Sequence, residues 1–444
     1  MSAPRPANLP VAAAPTDLRL AGLAVAVWLT ALAGLRLTAA PTAVIAAVAG
    51  AAAVGLAGYL LSGDRPVASR YGWITVSVLL GVVCGGAATA ARLTVRDAAP
   101  VVALVVAGAD VTAELVVRDD PRKVQGAAGR PPIFLVSAGL SWIRGPDGRQ
   151  VATSARILVL ASDPAWRPLL PGQRLTTTGR LVPPRGGDLT AAVLSVGEPP
   201  ALGEEPSRVQ RVAGELRAGL QRACAPLPDG PGGLLPGLVV GDTSRLEPAV
   251  EDDFLVAGMT HLNAVSGSNV AIVVGSVLLL ARWARAGPWL AAGLCAVALV
   301  GFVILVRPSP SVVRAATMGA VALAALAAGR PRAALPALGA AITVLVLVDP
   351  ELAGDAGFAL SVFATAGLLL LAPRWRDGLR ARGVPAGLAE ALAVPAAAQL
   401  ACAPVVAGIS GTVSLVAVPA NLLAVPAIAP ATVFGVVAAV VSPL

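Results

Sequence analysis

Charge is scarce in this chain: Asp, Glu, Lys and Arg together make up 13% of its 444 residues, whereas soluble globular domains carry roughly 25%. Hydrophobic residues make up 56%. A chain of this length has room for several soluble domains, but this composition excludes that class. Apolar stretches of about 20 residues, long enough to cross a bilayer, recur instead. The sequence therefore predicts a polytopic α-helical membrane protein.

Residue types that bind metals or act in catalysis are also few. His261 is the single histidine, which excludes a histidine-rich zinc site and a HExxH motif. The four cysteines form no CxxC pair and indicate neither a disulfide framework nor a zinc site; they are Cys84, Cys224, Cys295 and Cys402. Walker A, GxSxG and paired-carboxylate motifs are missing too. We therefore expect no enzyme activity, no catalytic residue, no metal and no cofactor.

Positive charge is in excess, with a formal net charge of +8, and it comes almost entirely from arginine because Lys123 is the single lysine. Such an excess is typical of proteins that bind nucleic acid or acidic lipid. In a membrane protein, however, arginines in loops also set the orientation of the chain. Charge by itself therefore gives little support to a nucleic-acid partner.

About ten apolar segments are long enough to be membrane spans. Several of the later ones are interrupted by proline, which membrane helices tolerate where they are buried in protein or line a water-filled cavity. The predicted spans are 18–37, 42–61, 72–93, 262–280, 289–306, 312–328, 335–348, 358–371, 388–406 and 413–440.

The loops between these spans predict an orientation, because basic loops tend to stay in the cytoplasm. Basic pairs or groups occur at 65–70, 282–285, 330–332 and 374–382, and an acidic loop occurs at 349–355. We expect a multi-pass protein of the cytoplasmic membrane with a cytoplasmic N-terminus. Arg36, Arg307 and Arg314 are exceptions that fall on the outer side.

Residues 95–198 are predicted to form a β-domain, which is inserted between the third and fourth spans on the extracytoplasmic side. Short β-branched segments are separated by turns, such as the one at 145–148. The predicted strands are 101–106, 113–117, 133–143, 156–160, 173–181 and 189–196. About 100 residues suit an oligonucleotide/oligosaccharide-binding (OB) barrel; another small β-domain is the alternative.

The chain is accordingly divided into four parts: N-terminal membrane helices (1–94), an OB-like β-domain (95–198), a linker with amphipathic helices (199–258) and a membrane domain (259–444). Within the linker, residues 209–223 form an amphipathic helix. It lies at the membrane surface or is an ordinary connecting helix. Pro248 is a suitable first residue for a second, short helix that ends near Gly258.

The most unusual polar segment opens the fourth span, where polar side chains are costly in lipid and should face protein or water. Its candidate residues are His261, Asn263, Ser266, Gly267 and Asn269, preceded by the motif residues Gly241 and Asp242. Close helix packing explains the small residues well. A structural hydrogen bond is the ordinary role for His261, and contact with a ligand is the functional alternative.

Three further polar residues lie within apolar segments. Arg314 either extends its side chain to the membrane interface or lines a path for phosphate groups, and the sequence favours neither. Gln399 and Asn421 are isolated amides, for which hydrogen bonds between helices are the ordinary role.

In the same region the sequence resembles the ComEC family of DNA-internalisation competence proteins. The most specific stretch is AGMTHLNAVSGSNVAIVVG, at 257–275. It is preceded by GLVVGDTSRLEP and followed, in the family's order, by RPSPSVVRAATMGAVAL, LVDPELAGDAGFALSVFATAGLLLL and AAQLACAPVVAGISGTVSLVAVPANLLAVP. The β-domain occupies the place of the family's OB domain, in which LLPGQRLTTTGRL resembles a pair of strands.

The resemblance implies a channel that passes single-stranded transforming DNA across the cytoplasmic membrane. It implies a DNA receptor and an ATP-driven helper as partner proteins, besides membrane lipid. His261, Ser266, Asn269, Arg314, Gln399 and Asn421 would then be candidates for the DNA path.

The chain departs from the family pattern in three ways. Asn269 stands where many members have a second histidine, which argues against chemistry that needs two histidines. The β-domain has few aromatic side chains with which DNA bases could stack, chiefly Phe134, Trp142 and Trp166. Many members also continue into a metallo-β-lactamase-like domain, a proposed nuclease, that this sequence does not contain.

Two other functions fit parts of the pattern. A small-solute permease also uses broken helices with isolated polar residues, although no repeat-related pair of such helices is evident. A membrane-embedded enzyme would have to use His261 with Ser266 or Asp242. His261 and Ser266 are five residues apart, which is a poor pairing on one helix face.

Overall fold

A computed structural model describes residues 19–62, 66–124, 132–259, 265, 267–327, 334–410 and 416–442. Each of the predicted apolar segments corresponds to a helix. The first four helices are α1 (Arg19–Gly34), α2 (Ala39–Leu61), α3 (Pro66–Arg96) and α4 (Ala99–Val106). After the β-domain come α5 (Arg208–Cys224), α6 (Asp229–Val240), α7 (Pro248–Val256), α8 (Gly267–Trp283), α9 (Pro288–Val306), α10 (Pro310–Ala327), α11 (Ala334–Val348), α12 (Ala356–Leu370), α13 (Ala372–Ala381), α14 (Ala386–Ser410) and α15 (Ala417–Val441).

The apolar helices make this a multi-pass membrane protein. Within the described ranges, five helical stretches are long and apolar enough to cross a bilayer, and five further apolar helices are shorter. The long ones are Ala39–Leu61, Tyr71–Arg96, Pro288–Val306, Ala356–Ala381 and Ala386–Ile409. The count of about ten spans stays a prediction.

The β-domain is a closed barrel of five main strands. They pair in the order β1-β3-β5-β7-β6, and β6 returns to β1. All neighbours are antiparallel except β5 and β7, which are parallel. This topology is consistent with an OB-like fold. The strands are β1 (Asp110–Val117), β2 (Arg122–Val124), β3 (Ile133–Arg144), β4 (Gln150–Ala152), β5 (Arg156–Ala161), β6 (Arg174–Val182), β7 (Thr190–Val196) and β8 (Ala201–Leu202).

Alternating burial along the strands builds the barrel core. In β1 every second side chain, from Val111 to Val117, points inward, as expected for a strand with one buried face. Trp166, in a 3-10 turn (Pro164–Trp166) between β5 and β6, is fully buried in this core. Its indole nitrogen donates a hydrogen bond to the carbonyl oxygen of Glu198 at 2.9 Å.

Two local predictions about this domain were wrong. Residues 101–106 form helix α4 and not a strand, with Val101 and Val105 buried one turn apart. A proline at the start of the helix and packing against the barrel core therefore outweigh the β-propensity of valine. The stretch LLPGQRLTTTGRL is a turn followed by the single strand β6, and not a pair of strands. The short strand β8, just beyond the predicted end of the domain, pairs with β6.

The barrel lies against one end of the helices. The guanidinium of Arg156 in β5 pairs with Asp349, after α11, at 2.9 Å. Arg96, at the end of α3, donates to the carbonyl oxygen of Asp188 at 3.1 Å. The basic segments at 282–285 and in α13 lie at the opposite ends of α9 and α12. Which of the two ends faces the cytoplasm stays a prediction, as do the four domain boundaries.

Candidate functional site

The site proposed from the sequence is only partly described by the structure. His261, Asn263 and Ser266 lie outside the described residues. The remaining candidates are Gly241, Asp242, Gly267, Asn269, Arg314, Gln399 and Asn421.

Arg314 is a buried cation one turn inside α10. Its side chain is 6% exposed, so the guanidinium is enclosed by the protein. Nε donates to the hydroxyl oxygen of Ser361 in α12 at 2.8 Å, and Nη1 lies 3.0 Å from the sulfur of Met318. None of the carboxylates in the described ranges pairs with it. A buried charge is costly unless it is paired, so this position suits an anionic ligand.

Gly267, the first residue of α8, lies directly against this guanidinium. A Cβ atom at Gly267 would lie 3.1 Å from Nη2 of Arg314 and 3.2 Å from Cβ of Ala315. The glycine therefore allows the start of α8 to approach α10 closely. The first turn of a helix has backbone amides without helical acceptors and a partial positive charge. The α8 N-terminus and Arg314 thus bring two positive features together.

Hydrogen bonds fix the chain on either side of Gly267. Ser311 in α10 donates its hydroxyl to the carbonyl oxygen of Val265 at 3.1 Å. Asn269 is buried, and its side-chain amide nitrogen, Nδ2, donates to the carbonyl oxygen of Leu238 in α6 at 2.8 Å. Val265 and the first turn of α8 are therefore held between α6 and α10, and Asn269 has a structural contact there.

Gly241 and Asp242 form the turn after α6. Gly241 has a φ of +73°, and a Cβ atom there would lie 3.1 Å from the side chain of Val265. The carboxylate of Asp242 accepts a hydrogen bond from the backbone amide of Ser244 at 3.1 Å. Burial opposes ionisation of Asp242, but the bonds from Ser244 and the charge of Arg217 outweigh it and hold its pKa below the ordinary value. This turn therefore packs closely against Val265, directly after α6.

The two isolated amides lie on neighbouring helices. Gln399 is half-buried in α14, and Asn421 is buried in α15. α14 packs on α12: the thiol of Cys402 in α14 lies 3.4 Å from the carbonyl oxygen of Leu360 in α12. The positions of Gln399 and Asn421 in a DNA path stay predictions.

Sequence reasoning missed a cluster in which one carboxylate serves two buried guanidiniums. Asp120, in the loop after β1, lies 3.1 Å from Nε of Arg307 and 3.3 Å from Nη2 of Arg217. Arg217 lies in the helix predicted to be amphipathic, and its guanidinium also donates to the carbonyl oxygen of Leu305 at 3.1 Å. Burial lowers the pKa of Arg217, and Asp120 and Asp242 oppose that shift. The sequence signal for this cluster was Arg307, because it falls on the predicted outer side, where basic residues are not expected.

A second cluster joins the barrel to the loop between α11 and α12. Arg156 contacts both Asp349 and Glu351. Burial raises the pKa of Glu351, with help from the like charge of Asp349, although Arg156 opposes the shift. The acidic loop predicted at 349–355 is therefore a docking point for the barrel.

The barrel offers few aromatic surfaces for base stacking. Phe134 and Trp166 belong to its buried core. Trp142 is half-buried, its indole nitrogen donates to the carboxylate of Glu114 at 2.7 Å, and the guanidinium of Arg144 covers its ring at 5.4 Å. The aromatic side chains considered from the sequence are thus already engaged within the barrel.

The described ranges contain no group of three His, Cys, Asp or Glu side chains that lie close enough together to hold a metal ion. The four cysteines are free thiols.

Comparison with known proteins finds similarity in the C-terminal part of the chain. Residues 238–444 match the family model described as competence protein. The chain is also 31% identical over 201 residues to ComE operon protein 3 of Bacillus subtilis (strain 168). The match covers 45% of this chain and 25% of that relative, so it spans a quarter of the relative's length. No solved structure matches the chain.

Proposed function

We propose that this chain, whose residues 238–444 belong to the competence protein family, acts in DNA uptake as a membrane channel for one strand of transforming DNA. The channel is formed by the helical domain that contains α8, α10 and α12. The barrel lies on the outer face of the cytoplasmic membrane, and the N-terminus lies inside. The chain performs no catalytic step in this proposal.

The observation that carries the proposal is the buried guanidinium of Arg314. Its contacts are the neutral side chains of Ser361 and Met318, and it faces the start of α8 at Gly267. A phosphodiester that passes this point would supply the missing negative charge. Among the described residues a single cation would contact the phosphate, which is thereby stabilised without being trapped, as conduction requires.

The barrel has the role of receiving DNA outside the membrane. With its aromatic side chains engaged, contact would be made mainly with the phosphate backbone and less by base stacking. A DNA receptor would deliver the strand to the barrel, and an ATP-driven helper would draw it through the helical domain. Both are separate partner proteins in this proposal.

Transformation of the host with marked linear DNA tests the proposal. Wild type, a deletion strain and the deletion strain supplied with residues 1–444 are compared. We expect the deletion to abolish transformation and the supplied chain to restore it. If a longer chain is needed, this segment is one part of the machine. If a transformable host is indifferent to the deletion, the channel proposal is wrong.

A small-anion permease is the second candidate, and the same observation favours it. An arginine beside a helix N-terminus is also how a transporter binds an anionic solute. Deletion of the barrel distinguishes the two. DNA uptake requires the barrel, whereas a permease would retain a solute-dependent growth phenotype without it.

A further inference from the structure

A groove lies between α5 and α9, near the end of α9 that is closest to the barrel. Its volume is about 370 Å³, within the range of roughly 300–1,000 Å³ that is typical of ligand pockets. α5 contributes Val209, Val212 and Leu216, and α9 contributes Gly301 and Ile304. The walls are therefore apolar, and they come from two different parts of the chain.

The apolar face of α5 is covered at one end and open at the groove. Leu220 is fully buried, whereas Val209 and Val212 are 55% and 53% exposed. An amphipathic helix that lies in the membrane interface buries such a face among acyl chains. The open part of α5 is thus suited to lipid and not to water.

The position of α9 places the groove at the membrane boundary. α9 has 19 residues with a mean hydropathy of 2.6, which is enough to span a bilayer core. Arg307, directly after it, pairs with Asp120 of the barrel. Gly301 and Ile304 therefore belong to the last turns of the span, on the barrel's side of the membrane.

Arg208 supplies a positive charge at the rim of the groove. It is the first residue of α5, where the helix dipole disfavours a cation. The acidic side chains just before it are engaged, Glu204 with Arg174 at 3.2 Å and Glu205 with Arg211 at 3.1 Å. In the described part of the chain Arg208 has no ion pair of its own. An anion at this point would meet both the guanidinium and the N-terminus of α5.

We propose that this groove binds an anionic phospholipid. One acyl chain lies against Val212 and Ile304, and the phosphate headgroup lies at Arg208. A nucleic acid would leave the apolar walls uncovered, and in a zwitterionic lipid the headgroup's own ammonium would offset the phosphate charge that Arg208 meets. The proposal goes beyond DNA uptake and does not depend on it.

Glycines on α9 allow the groove to be filled without a clash. A Cβ atom at Gly301 would meet no atom within 4 Å, and the same holds at Gly293 on the same helix. Gly301→Leu therefore fills the groove, because Gly301 lines it. Gly293→Leu makes the same change to α9 away from the groove and is the matched control.

Photo-crosslinking tests the acyl-chain site. The full chain is reconstituted in phosphatidylcholine vesicles that contain phosphatidylglycerol with a diazirine on its acyl chain, and labelled peptides are mapped by mass spectrometry. We expect labelling within 208–216 and 301–305, its loss in Gly301→Leu and its retention in Gly293→Leu. Wild-type protein without label in these segments, or equal labelling of both variants, would overturn the proposal.

The headgroup is tested with a matched pair of arginines on α5. Arg208→Gln should reduce labelling by the phosphatidylglycerol probe to the level reached with a phosphatidylcholine probe, and Arg222→Gln should not. Equal labelling of wild type by the two probes would refute an anionic site. If circular dichroism shows that Gly301→Leu is misfolded, Val212→Trp fills the groove from its exposed wall and carries the same expectation.

Discussion

Nε of Arg307, just beyond the end of α9, lies 3.1 Å from both carboxylate oxygens of Asp120 in the barrel. The same carboxylate pairs with Arg217 of α5. The two guanidinium side chains are only 10% and 11% exposed, and Asp120 is 34% exposed. One carboxylate of the barrel therefore pairs with two buried guanidiniums of the helical part, and it ties the two parts of the molecule together.

Replacement of Asp120 by alanine should loosen the barrel from the helices. Removing one partner of a fully buried ion pair costs roughly 3–5 kcal/mol, and the partial exposure of Asp120 lowers our expectation to about 2 kcal/mol. Thermal unfolding in detergent and limited proteolysis of the barrel measure the effect. Asp377→Ala is the control, since its pair with Arg376 is exposed and should contribute almost nothing. Equal behaviour of the two variants would refute the anchoring role.

Arg314→Met should separate function from stability. Methionine removes an unpaired buried charge and leaves an apolar side chain beside Met318, so the melting temperature should stay the same or rise. Transformation by marked DNA should fall strongly if phosphates pass the guanidinium. Arg314→Lys keeps the charge but changes the hydrogen bond to Ser361, and it should be intermediate.

The exposed arginine Arg382 provides the control for charge removal, as Arg382→Gln should leave transformation unchanged. Unaltered uptake in Arg314→Met at normal protein level would remove Arg314 from the DNA path. A large fall in the melting temperature of Arg314→Met would show that the role of Arg314 is structural.

Gly267→Ala should displace the guanidinium of Arg314. Its Cβ atom would lie 3.1 Å from Nη2, closer than ordinary van der Waals contact, so the side chain must shift. We expect lower DNA uptake at normal protein level. Gly275→Ala lies on the same helix and meets no atom within 4 Å. It should be neutral or stabilising by up to about 1 kcal/mol, because alanine favours helix. If the two variants take up DNA equally well, the close approach at Gly267 has no functional importance.

Asp242 should make the free energy of unfolding depend on pH in the acid range. Its folded pKa lies below the ordinary value of 3.8. The unfolded state therefore takes up a proton first as the pH falls, and the contribution of Asp242 is present above the unfolded pKa and lost as pH drops through the folded pKa. Asp242→Asn should lower the melting temperature at neutral pH and reduce its further fall as the pH drops into the acid range, which thermal unfolding over a pH series measures. If the melting temperature of the variant falls with acid as steeply as that of wild type, Asp242 is not responsible.

Much of the helical architecture could be predicted from the sequence, because hydrophobicity and its periodicity are properties of contiguous residues. Each predicted apolar segment coincides with a helix, and most of the predicted strands lie in the barrel. The prediction was wrong at 101–106, where valines occur in a run and the periods of helix and strand are hard to distinguish. Burial of Val101 and Val105 against the barrel core decided for a helix.

The candidate site was predictable in composition but not in arrangement. The sequence identified Arg314, Gly267 and Asn269 as unusual in an apolar context. It left the direction of the Arg314 side chain open, since a cation near the end of a span either reaches the interface or turns inward. Contact with Ser361, which lies 47 residues further along the chain on α12, required the packing of α10 against α12.

The sequence by itself determined that this is a membrane protein with an inserted β-domain, because transfer of apolar segments into a bilayer depends on local composition. The tertiary structure alone decided which charges are paired. Asp120 and Arg307 are 187 residues apart in the chain, and Arg156 and Glu351 are 195 apart. No local pattern specifies such partners, since an ion pair depends on two side chains being close in space and not in sequence.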